Sequence, residues 1–273
     1  ADRRSAASQP APDNFTEITL DQVSFHYPEA ERPAVDGVSL TIRRGQTIAL
    51  VGENGSGKTS LAKLIAALYR PDSGQIRWDG RDVAAADPEQ LRQHIGVITQ
   101  EYWHWPFTAR TNITIGRHTR ADGDPPVLEA ARAADAHQMI VELPNGYHTL
   151  LDRMFAGGQE LSGGQWQRLA AARGFYREPG LLICDEPSAS LDARAEHAIF
   201  QQLRTGRDHQ AIVLITHRLA NIRHADLIYV LHEGRVVEQG THAELMSARG
   251  AYAELFELQA SGYLAGTGQP ERA

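Results

Sequence analysis

The strongest chemical signal is a glycine-rich run that matches the phosphate-binding pattern G-x-x-x-x-G-K-[ST]. The run consists of Gly52, Glu53, Asn54, Gly55, Ser56, Gly57, Lys58 and Thr59. Glycines let backbone N–H groups converge on phosphate oxygens, and a helix that begins at the loop adds positive potential. We expect Lys58 to reach the β- and γ-phosphates of a nucleoside triphosphate and the Thr59 hydroxyl to ligate Mg²⁺.

Two adjacent carboxylates supply a second element of a triphosphate site. Asp185 and Glu186 follow the apolar run Leu181–Cys184. Asp185 can hold the magnesium shell, and Glu186 can orient and polarise an attacking water. Taken alone the pair would be a solvated strand end, but the phosphate-binding loop favours the catalytic interpretation. Cys184 is predicted to be a small buried hydrophobic residue and not a nucleophile.

A third motif, LSGGQ, indicates a phosphate that comes from another subunit. It consists of Leu161, Ser162, Gly163, Gly164 and Gln165. Ser162 and Gln165 have the capping-box spacing, which predicts a helix start. Each glycine in that first turn costs about 0.5–1 kcal/mol relative to Ala, so something must approach the backbone closely. Because the chain has one phosphate-binding loop, we expect a dimer in which each LSGGQ completes the other subunit's site.

An α/β scaffold must position these motifs. Residues 47–51 form a buried strand pattern, and apolar residues at i, i+3, i+4 and i+7 across 61–68 predict a helix after the glycine loop. Strand patterns return at 181–184 and 211–215, separated by a helical stretch at 193–204. Strand and helix therefore alternate around the loop and the carboxylates, which is α/β layering.

Other segments flank this scaffold. Alternating patterns at 18–25, interrupted at Asp21 and Gln22, and at 38–42 predict an N-terminal antiparallel β-section, and Asp79-Gly80 is a hairpin signal. From about residue 101 to 177 helical spacing replaces strand patterns, which predicts a helical insert.

The ends of the chain differ in composition from its middle. Glu233-Gly234 predicts another hairpin, and a final helix is expected at about 241–260. Residues 1–14 have linker composition, so the domain is expected to span 15–260, followed by a flexible tail at 261–273.

Composition excludes several classes of protein. The chain has 273 residues, with 27 Lys and Arg against 34 Asp and Glu, which gives a net charge of −7. That balance offers no general reason to bind nucleic acid. No run of 18 apolar residues occurs, so we expect the isolated chain to be soluble. The single cysteine suits a reducing compartment.

The glycine loop, LSGGQ, the Asp185-Glu186 pair and His217 resemble, in order and spacing, the nucleotide-binding domains of the ATP-binding cassette (ABC) family over about residues 15–260. The resemblance implies an α/β P-loop NTPase with an N-terminal antiparallel β-subdomain and an inserted α-helical subdomain. It also implies that ATP and Mg²⁺ are the ligands.

Further roles follow from the resemblance alone. Tyr27 would stack on adenine, and Ser60 would add a hydroxyl near the α-phosphate. Gln100 would contact Mg²⁺ and water, as a metal ligand beside Thr59 and Asp185. His217 would contact the γ-phosphate and support Glu186 in catalysis, together with Gln100 and Lys58. A D-loop at the dimer interface would consist of Ser190, Leu191 and Asp192.

Subfamily features resemble exporters. The pattern G-T-H-x-E-L at 240–245 precedes G-x-Y-x-x-L-x-x-x-Q at 250–259. The partners implied are a second nucleotide-binding domain, identical or paralogous, and a transmembrane domain fused upstream, at the cytoplasmic face of the cell membrane. Tyr102, Trp103 and Trp105 would either pack in the helical insert or form a socket for that domain. Ala156 departs from the pattern, because many exporters have an acidic residue there.

Two alternatives stay open at this point. A soluble ABC-type ATPase not linked to transport shares the motifs, although it would normally have a coiled coil or a second cassette. A degenerate cassette would bind ATP without hydrolysing it, although every reacting position is filled here.

Overall fold

The chain divides into two units, one comprising residues through Leu91 and from Val213 onward, and one comprising Arg92–Ile212. A computed structural model describes residues 15–120, 123–205 and 210–266, with side chains through residue 260. The expected linker at 1–14 lies outside the described residues. The strands are β1 (Glu17–Phe25), β2 (Val35–Arg43), β3 (Thr47–Val51), β4 (Ser73–Trp78), β5 (Arg81–Asp82), β6 (Ile95–Ile98), β7 (Leu181–Asp185), β8 (Ala211–Ile215), β9 (Leu227–His232) and β10 (Arg235–Gly240). The helices are α1 (Lys58–Ile65), α2 (Pro88–Gln93), α3 (Ala109–Thr114), α4 (Pro125–Ala133), α5 (His137–Val141), α6 (Gly163–Tyr176), α7 (Ala193–Thr205), α8 (His242–Ala248) and α9 (Ala251–Gly266).

An antiparallel sheet with the strand order β2-β1-β4-β5 lies in the first unit, as predicted. The interrupted alternation in β1 has a structural cause. The register of β1 against β2 shifts between Leu20 and Val23, and Gln22 has a positive φ of 49°. Such a bulge lets Ile18, Leu20, Val23 and Phe25 all point into the core, where each is buried.

A buried strand directly precedes the glycine loop, as the sequence predicts. β3 is buried along its whole length and pairs in parallel with β9, which pairs antiparallel with β10. The Glu233-Gly234 turn joins β9 to β10, and both of its residues have positive φ. The predicted helix ends before Leu68, the last residue of the apolar spacing. Helix α1 ends at Ile65, Ala67 turns the chain with a φ of 53°, and Leu68 is 52% exposed.

Helices dominate the second unit between residues 101 and 177. Helices α3 to α6 occupy this stretch, and within its described part the only strand pairing is an isolated bridge between Thr108 and Leu150. Buried residues of α6 include Trp166, Leu169 and Ala172. Strand β6, which sequence periodicity did not identify, pairs in parallel with β7.

The C-terminal region differs from its prediction. The single helix expected at 241–260 is two helices, α8 and α9, because Arg249 adopts a left-handed φ of 54° and ends α8. Helix α9 continues through Gly266, so the first six residues of the expected tail are helical, and residues 267–273 lie outside the described residues.

Among the helices of the described residues, none combines the length and the apolar character needed to cross a bilayer.

Gly174 in α6 offers a test of the packing in the second unit. A Cβ there would lie 2.6 Å from Cγ1 of Ile98 in β6. Alanine usually stabilises a helix interior relative to glycine. We expect Gly174→Ala to lower the free energy of unfolding by about 1–3 kcal/mol instead, because β6 and α6 would have to separate. Denaturant unfolding measures the change. As a control, Gln201→Ala on the exposed side of α7 should stay within about 0.5 kcal/mol of wild type.

Candidate nucleotide-binding site

The glycine loop after β3 closes around Lys58. The Lys58 ammonium donates hydrogen bonds to the carbonyl oxygens of Gly52 and Glu53, both at 2.8 Å, and to Oγ of Ser56 at 3.3 Å. Its side chain is buried, with 6% exposure. Because an ammonium is costly to bury without partners, the loop backbone must fold around it. The result is a loop whose carbonyl oxygens turn inward to the lysine.

Glycines make this loop conformation possible. Gly52, Gly55 and Gly57 have φ values of 149°, 81° and 102°, in a region that other residues rarely adopt. A Cβ at Gly57 would overlap the carbonyl oxygen of Ala34, and a Cβ at Gly52 would overlap that of Leu231. Gly55 has open space around it. Two of the glycines are therefore required by close approach, and the third by its dihedral angle alone.

Helix α1 begins at the loop in a way that suits an anion. Its N-cap is Gly57, so no cap side chain occupies the amides of its first turn. Such amides carry partial positive charge and bind phosphate. Within the same unit, the Tyr27 hydroxyl shares a 3.2 Å hydrogen bond with Oγ of Ser60. The structure thus brings Tyr27 to the first turn of α1, beside the rings of Phe25 and Tyr69.

The donor set fits Mg²⁺ held partly by substrate. Among the described residues no cluster of three His, Cys, Asp or Glu side chains could hold a metal ion. Mg²⁺ in nucleotide sites typically takes one or two protein ligands and completes its shell with phosphate oxygens and water. A hydroxyl at Thr59, the second residue of α1, provides a protein oxygen of this kind.

The carboxylate pair lies in the second unit, where β7 ends. Asp185 is the last residue of β7, and Glu186 is buried. Glu186 has a φ of 50°, which is uncommon for a residue with a side chain. Strained backbone of this kind persists where the surrounding contacts hold it.

Gln167 provides those contacts, and sequence reasoning missed it. Its side-chain amide donates to the carbonyl oxygen of Glu186 at 3.1 Å and accepts from the Ser190 N–H at 2.7 Å. Gln167 is buried in α6, two residues past the LSGGQ motif. The sequence offered one signal for this role, which is a polar residue between the apolar positions Trp166 and Leu169 of the predicted helix. One side chain therefore links the helix that follows LSGGQ to both ends of the segment 186–190.

The remaining residues of the expected D-loop, Leu191 and Asp192, immediately precede α7. Leu191 is buried, and Oδ1 of Asp192 accepts a hydrogen bond from the Ala195 N–H at 2.9 Å. That backbone hydrogen bond is the main cause that lowers the pKa of Asp192.

The LSGGQ motif begins α6 with the predicted capping box. The Ser162 N–H donates to the Gln165 side chain at 2.8 Å, and Oγ of Ser162 accepts from the Gln165 N–H at 3.4 Å. Leu161 is buried beside it.

Different contacts account for the two glycines of the motif. A Cβ at Gly164 would lie 2.8 Å from the carbonyl oxygen of Ser190, so this glycine is required by the chain's own D-loop. That corrects the sequence argument, which assigned both glycines to an approaching phosphate. A Cβ at Gly163 would meet only the Tyr102 hydroxyl, at an ordinary 3.8 Å. Packing among the residues that the structure describes therefore leaves the Cβ position of Gly163 open.

Aromatic side chains follow Gln100, which is exposed just past β6. The Tyr102 hydroxyl donates to the carbonyl oxygen of Gly163 at 2.7 Å. Trp103 is 77% exposed, and its ring lies 6.2 Å from that of Trp105. Packing of the helical insert therefore explains Tyr102 but not Trp103.

His217 belongs to the first unit. It is exposed and lies two residues past β8, directly after the buried Thr216. Thr216 and His217 thus follow a strand that is buried throughout.

A buried strand, a glycine loop closed on a buried lysine, and a helix that begins directly at that loop together define a P-loop nucleotide-binding protein. Comparison with known proteins refines this class. The sequence profile of the family described as "ABC transporter" matches residues 35–189, which is more than half of the chain. The chain belongs to this family, and it is an ATPase domain that binds ATP.

Individual relatives agree with the family assignment. The chain is 41% identical over 244 residues to an ATP-dependent lipid A-core flippase of Chromobacterium violaceum, with 89% of this chain and 41% of the relative covered. It is 39% identical over 244 residues to an ABC transporter of Gibberella fujikuroi, with 89% and 18% covered. A solved structure of a bacterial Atm1-family ABC exporter with ATP bound superposes with a TM-score of 0.86 at 34% identity, with 94% and 44% covered. The chain therefore spans less than half the length of each of these relatives.

The glycine loop generates a paired test. We expect Gly55→Ala to cost about 1–2 kcal/mol of folding stability, because only its dihedral angle is unfavourable. Gly57→Ala should cost more, because it adds a collision with the Ala34 carbonyl. Urea unfolding of the two variants measures the difference. Equal losses would contradict the assigned approach of Ala34 to Gly57.

Cys184 generates a second test. It is fully buried, and burial, aided by the neighbouring Asp185 carboxylate, raises the pKa of its thiol. Little thiolate therefore forms at neutral pH, and access is blocked. We expect N-ethylmaleimide to leave the folded protein unmodified and to add once in denaturant, as measured by mass spectrometry. Rapid modification of the folded chain would contradict the burial of this strand.

Proposed function

We propose that this ATPase domain hydrolyses MgATP in sites completed by a second nucleotide-binding domain, and that the cycle powers export by a transmembrane domain. The observation that carries the proposal is the glycine loop closed around Lys58 at the start of α1. The loop and the start of α1 would present the positive charge of Lys58 and the positive end of the helix dipole to a triphosphate.

Residues of the first unit would bind the nucleotide. Lys58 and the first amides of α1 would neutralise the β- and γ-phosphates, and Ser60 would lie near the α-phosphate. Tyr27 would stack on the adenine, a role that its hydrogen bond to Ser60 supports. His217 would contact the γ-phosphate.

Residues of the second unit would supply the reacting groups. Glu186 would polarise the attacking water, and Asp185 and Gln100, with Thr59 of the first unit, would hold Mg²⁺. When bound, the ion would neutralise charge on the β- and γ-phosphate oxygens. The fixed backbone of Glu186 supports this assignment, because catalysis of phosphoryl transfer depends mainly on positioning.

The second domain would bring its own LSGGQ motif to the nucleotide. Support comes from Gly163, whose Cβ position meets only the Tyr102 hydroxyl among the described residues, at an ordinary 3.8 Å. The amides at the N-terminus of α6 would then face a phosphate held by the partner's Lys58. Ser190, Leu191 and Asp192 would lie across the same interface.

Export is proposed because the relatives are flippases and exporters more than twice as long as this chain. A transmembrane domain would occupy the additional length, and this domain would lie at the cytoplasmic face of the membrane. The exposed Trp103 and Trp105 suit contact with that domain better than packing within the insert. The same relatives favour an exporter over a soluble ATPase not linked to transport.

Glu186→Gln tests hydrolysis and dimerisation together. We expect the variant to lose about 10²–10⁴-fold in kcat while ATP binding persists, because only activation of water is removed. It should then elute as an ATP-dependent dimer in size-exclusion chromatography, whereas wild type should release phosphate only when Mg²⁺ is present.

Two variants serve as controls. Lys58→Ala should neither hydrolyse ATP nor dimerise, and Glu89→Gln, at an exposed carboxylate of α2, should behave as wild type. The proposal is wrong if wild type releases no phosphate at high protein concentration and Glu186→Gln stays monomeric with ATP.

A further inference from the structure

The C-terminal sequence pattern at 240–259 has no part in the ATP site proposed above. The structure shows that its residues anchor helices α8 and α9. Thr241 and Glu244 form a capping box that begins α8. Three later residues of the pattern, Gly250, Tyr252 and Gln259, lie at the contacts that hold α9.

Glu238 holds the N-terminus of α9. Its carboxylate accepts hydrogen bonds from the N–H groups of Ala251 at 2.6 Å and Tyr252 at 3.1 Å. A negative charge at this end of a helix is also favoured by the helix dipole. A Cβ at Gly250 would overlap the Glu238 carboxylate, so a larger residue there would displace this carboxylate from the start of α9.

Tyr252 fixes the next turn of α9. It is fully buried, and its hydroxyl shares a 2.9 Å hydrogen bond with Nδ1 of His242 in α8. The His242 ring also contacts the Phe256 ring, with centroids 5.0 Å apart. The first two turns of α9 are therefore held at several points.

Gln259 lies seven residues past Tyr252, on the same face of the helix. Its side-chain oxygen accepts a hydrogen bond from the backbone N–H of Leu219 at 3.0 Å. Leu219 is buried and begins a single 3₁₀ turn, Leu219–Asn221, whose cap residue Arg218 provides no side-chain acceptor. The first amide of such a turn has no acceptor within the turn itself. Gln259 supplies it from 40 residues away.

This contact lies directly beside His217. The Arg218 N–H donates to Oγ1 of Thr216 at 3.0 Å, and the Leu219 N–H donates to Gln259. Both amides that follow His217 are thus fixed by side chains. The first bond is local, whereas the second makes the course of the backbone depend on α9.

We propose that Gln259 is a positioning residue for His217, so that α9 takes part in ATP hydrolysis through one backbone hydrogen bond. The inference rests on the proposed function, because it assumes that His217 acts on the γ-phosphate. Earlier residues of the C-terminal pattern thus anchor the start of α9, and its last residue, Gln259, positions His217.

Two substitutions that differ in one property test this role. Gln259→Leu keeps the approximate size but removes the acceptor, and we expect kcat to fall about tenfold while KM for ATP changes less than about twofold, since misplacement affects the reacting geometry more than binding. Gln259→Glu keeps an oxygen acceptor and should stay within about twofold of wild type in kcat. Glu257→Leu, at an exposed residue of α9, is the matched control and should leave kcat unchanged.

A double-mutant cycle separates positioning from general destabilisation. In a His217→Ala background, Gln259→Leu should cause no further loss of kcat, because the residue that it positions is gone. A loss that persists in that background would overturn the inference, as would a wild-type kcat for Gln259→Leu.

Amide hydrogen exchange tests the contact without relying on hydrolysis. We expect Gln259→Leu to speed exchange of the Leu219 amide, and Glu257→Leu to leave it unchanged. Unchanged exchange in Gln259→Leu would overturn the inference even if wild type hydrolyses ATP. Absence of hydrolysis in wild type would instead contradict the proposed function.

Discussion

The buried ammonium of Lys58 is the constraint on which the architecture around the site depends. Removing a charge from water is costly unless polar groups surround it, and here the carbonyl oxygens of Gly52 and Glu53 provide that environment. The loop can direct these oxygens inward only with positive φ at its glycines. The required close approaches to Ala34 and Leu231 then tie the loop to β2 and β9. One cation therefore links the ends of three strands to the start of α1.

Uncharged side chains hold the backbone in a similar way at two other places. The buried amide of Gln167 satisfies one backbone carbonyl and one backbone N–H, and so fixes the segment that contains Glu186. Gln259 does this for the single amide of Leu219. A side-chain amide suits the task because it can donate and accept at once and carries no charge to desolvate. The loops that carry the proposed reacting residues Glu186 and His217 are thus held by polar side chains from helices, and not by apolar packing alone.

The parts of the fold that local physics determines were predictable from sequence. The Asp79-Gly80 hairpin and the capping box that begins α6 depend on residues within a few positions of one another, and both were confirmed. The glycine loop and its flanking strand and helix were predictable for the same reason. The exposure of Leu68 and the break at Arg249 were missed, because single residues other than glycine adopt positive φ there. The contacts of Gln167 and Gln259 join residues 19 to 40 positions apart, so only the tertiary structure reveals them.

The four tryptophans divide into two optical classes. Trp78 belongs to the first unit and Trp166 to the second, and each is fully buried, so each unit carries its own internal fluorophore. Trp103 projects into solvent, and Trp105 is about one-third exposed. We expect intrinsic emission to contain a blue component from the two buried rings and a red, iodide-quenchable component that comes mainly from Trp103. Melting of the cores and covering of Trp103 by another molecule would then change the emission at separate wavelengths, without any added label.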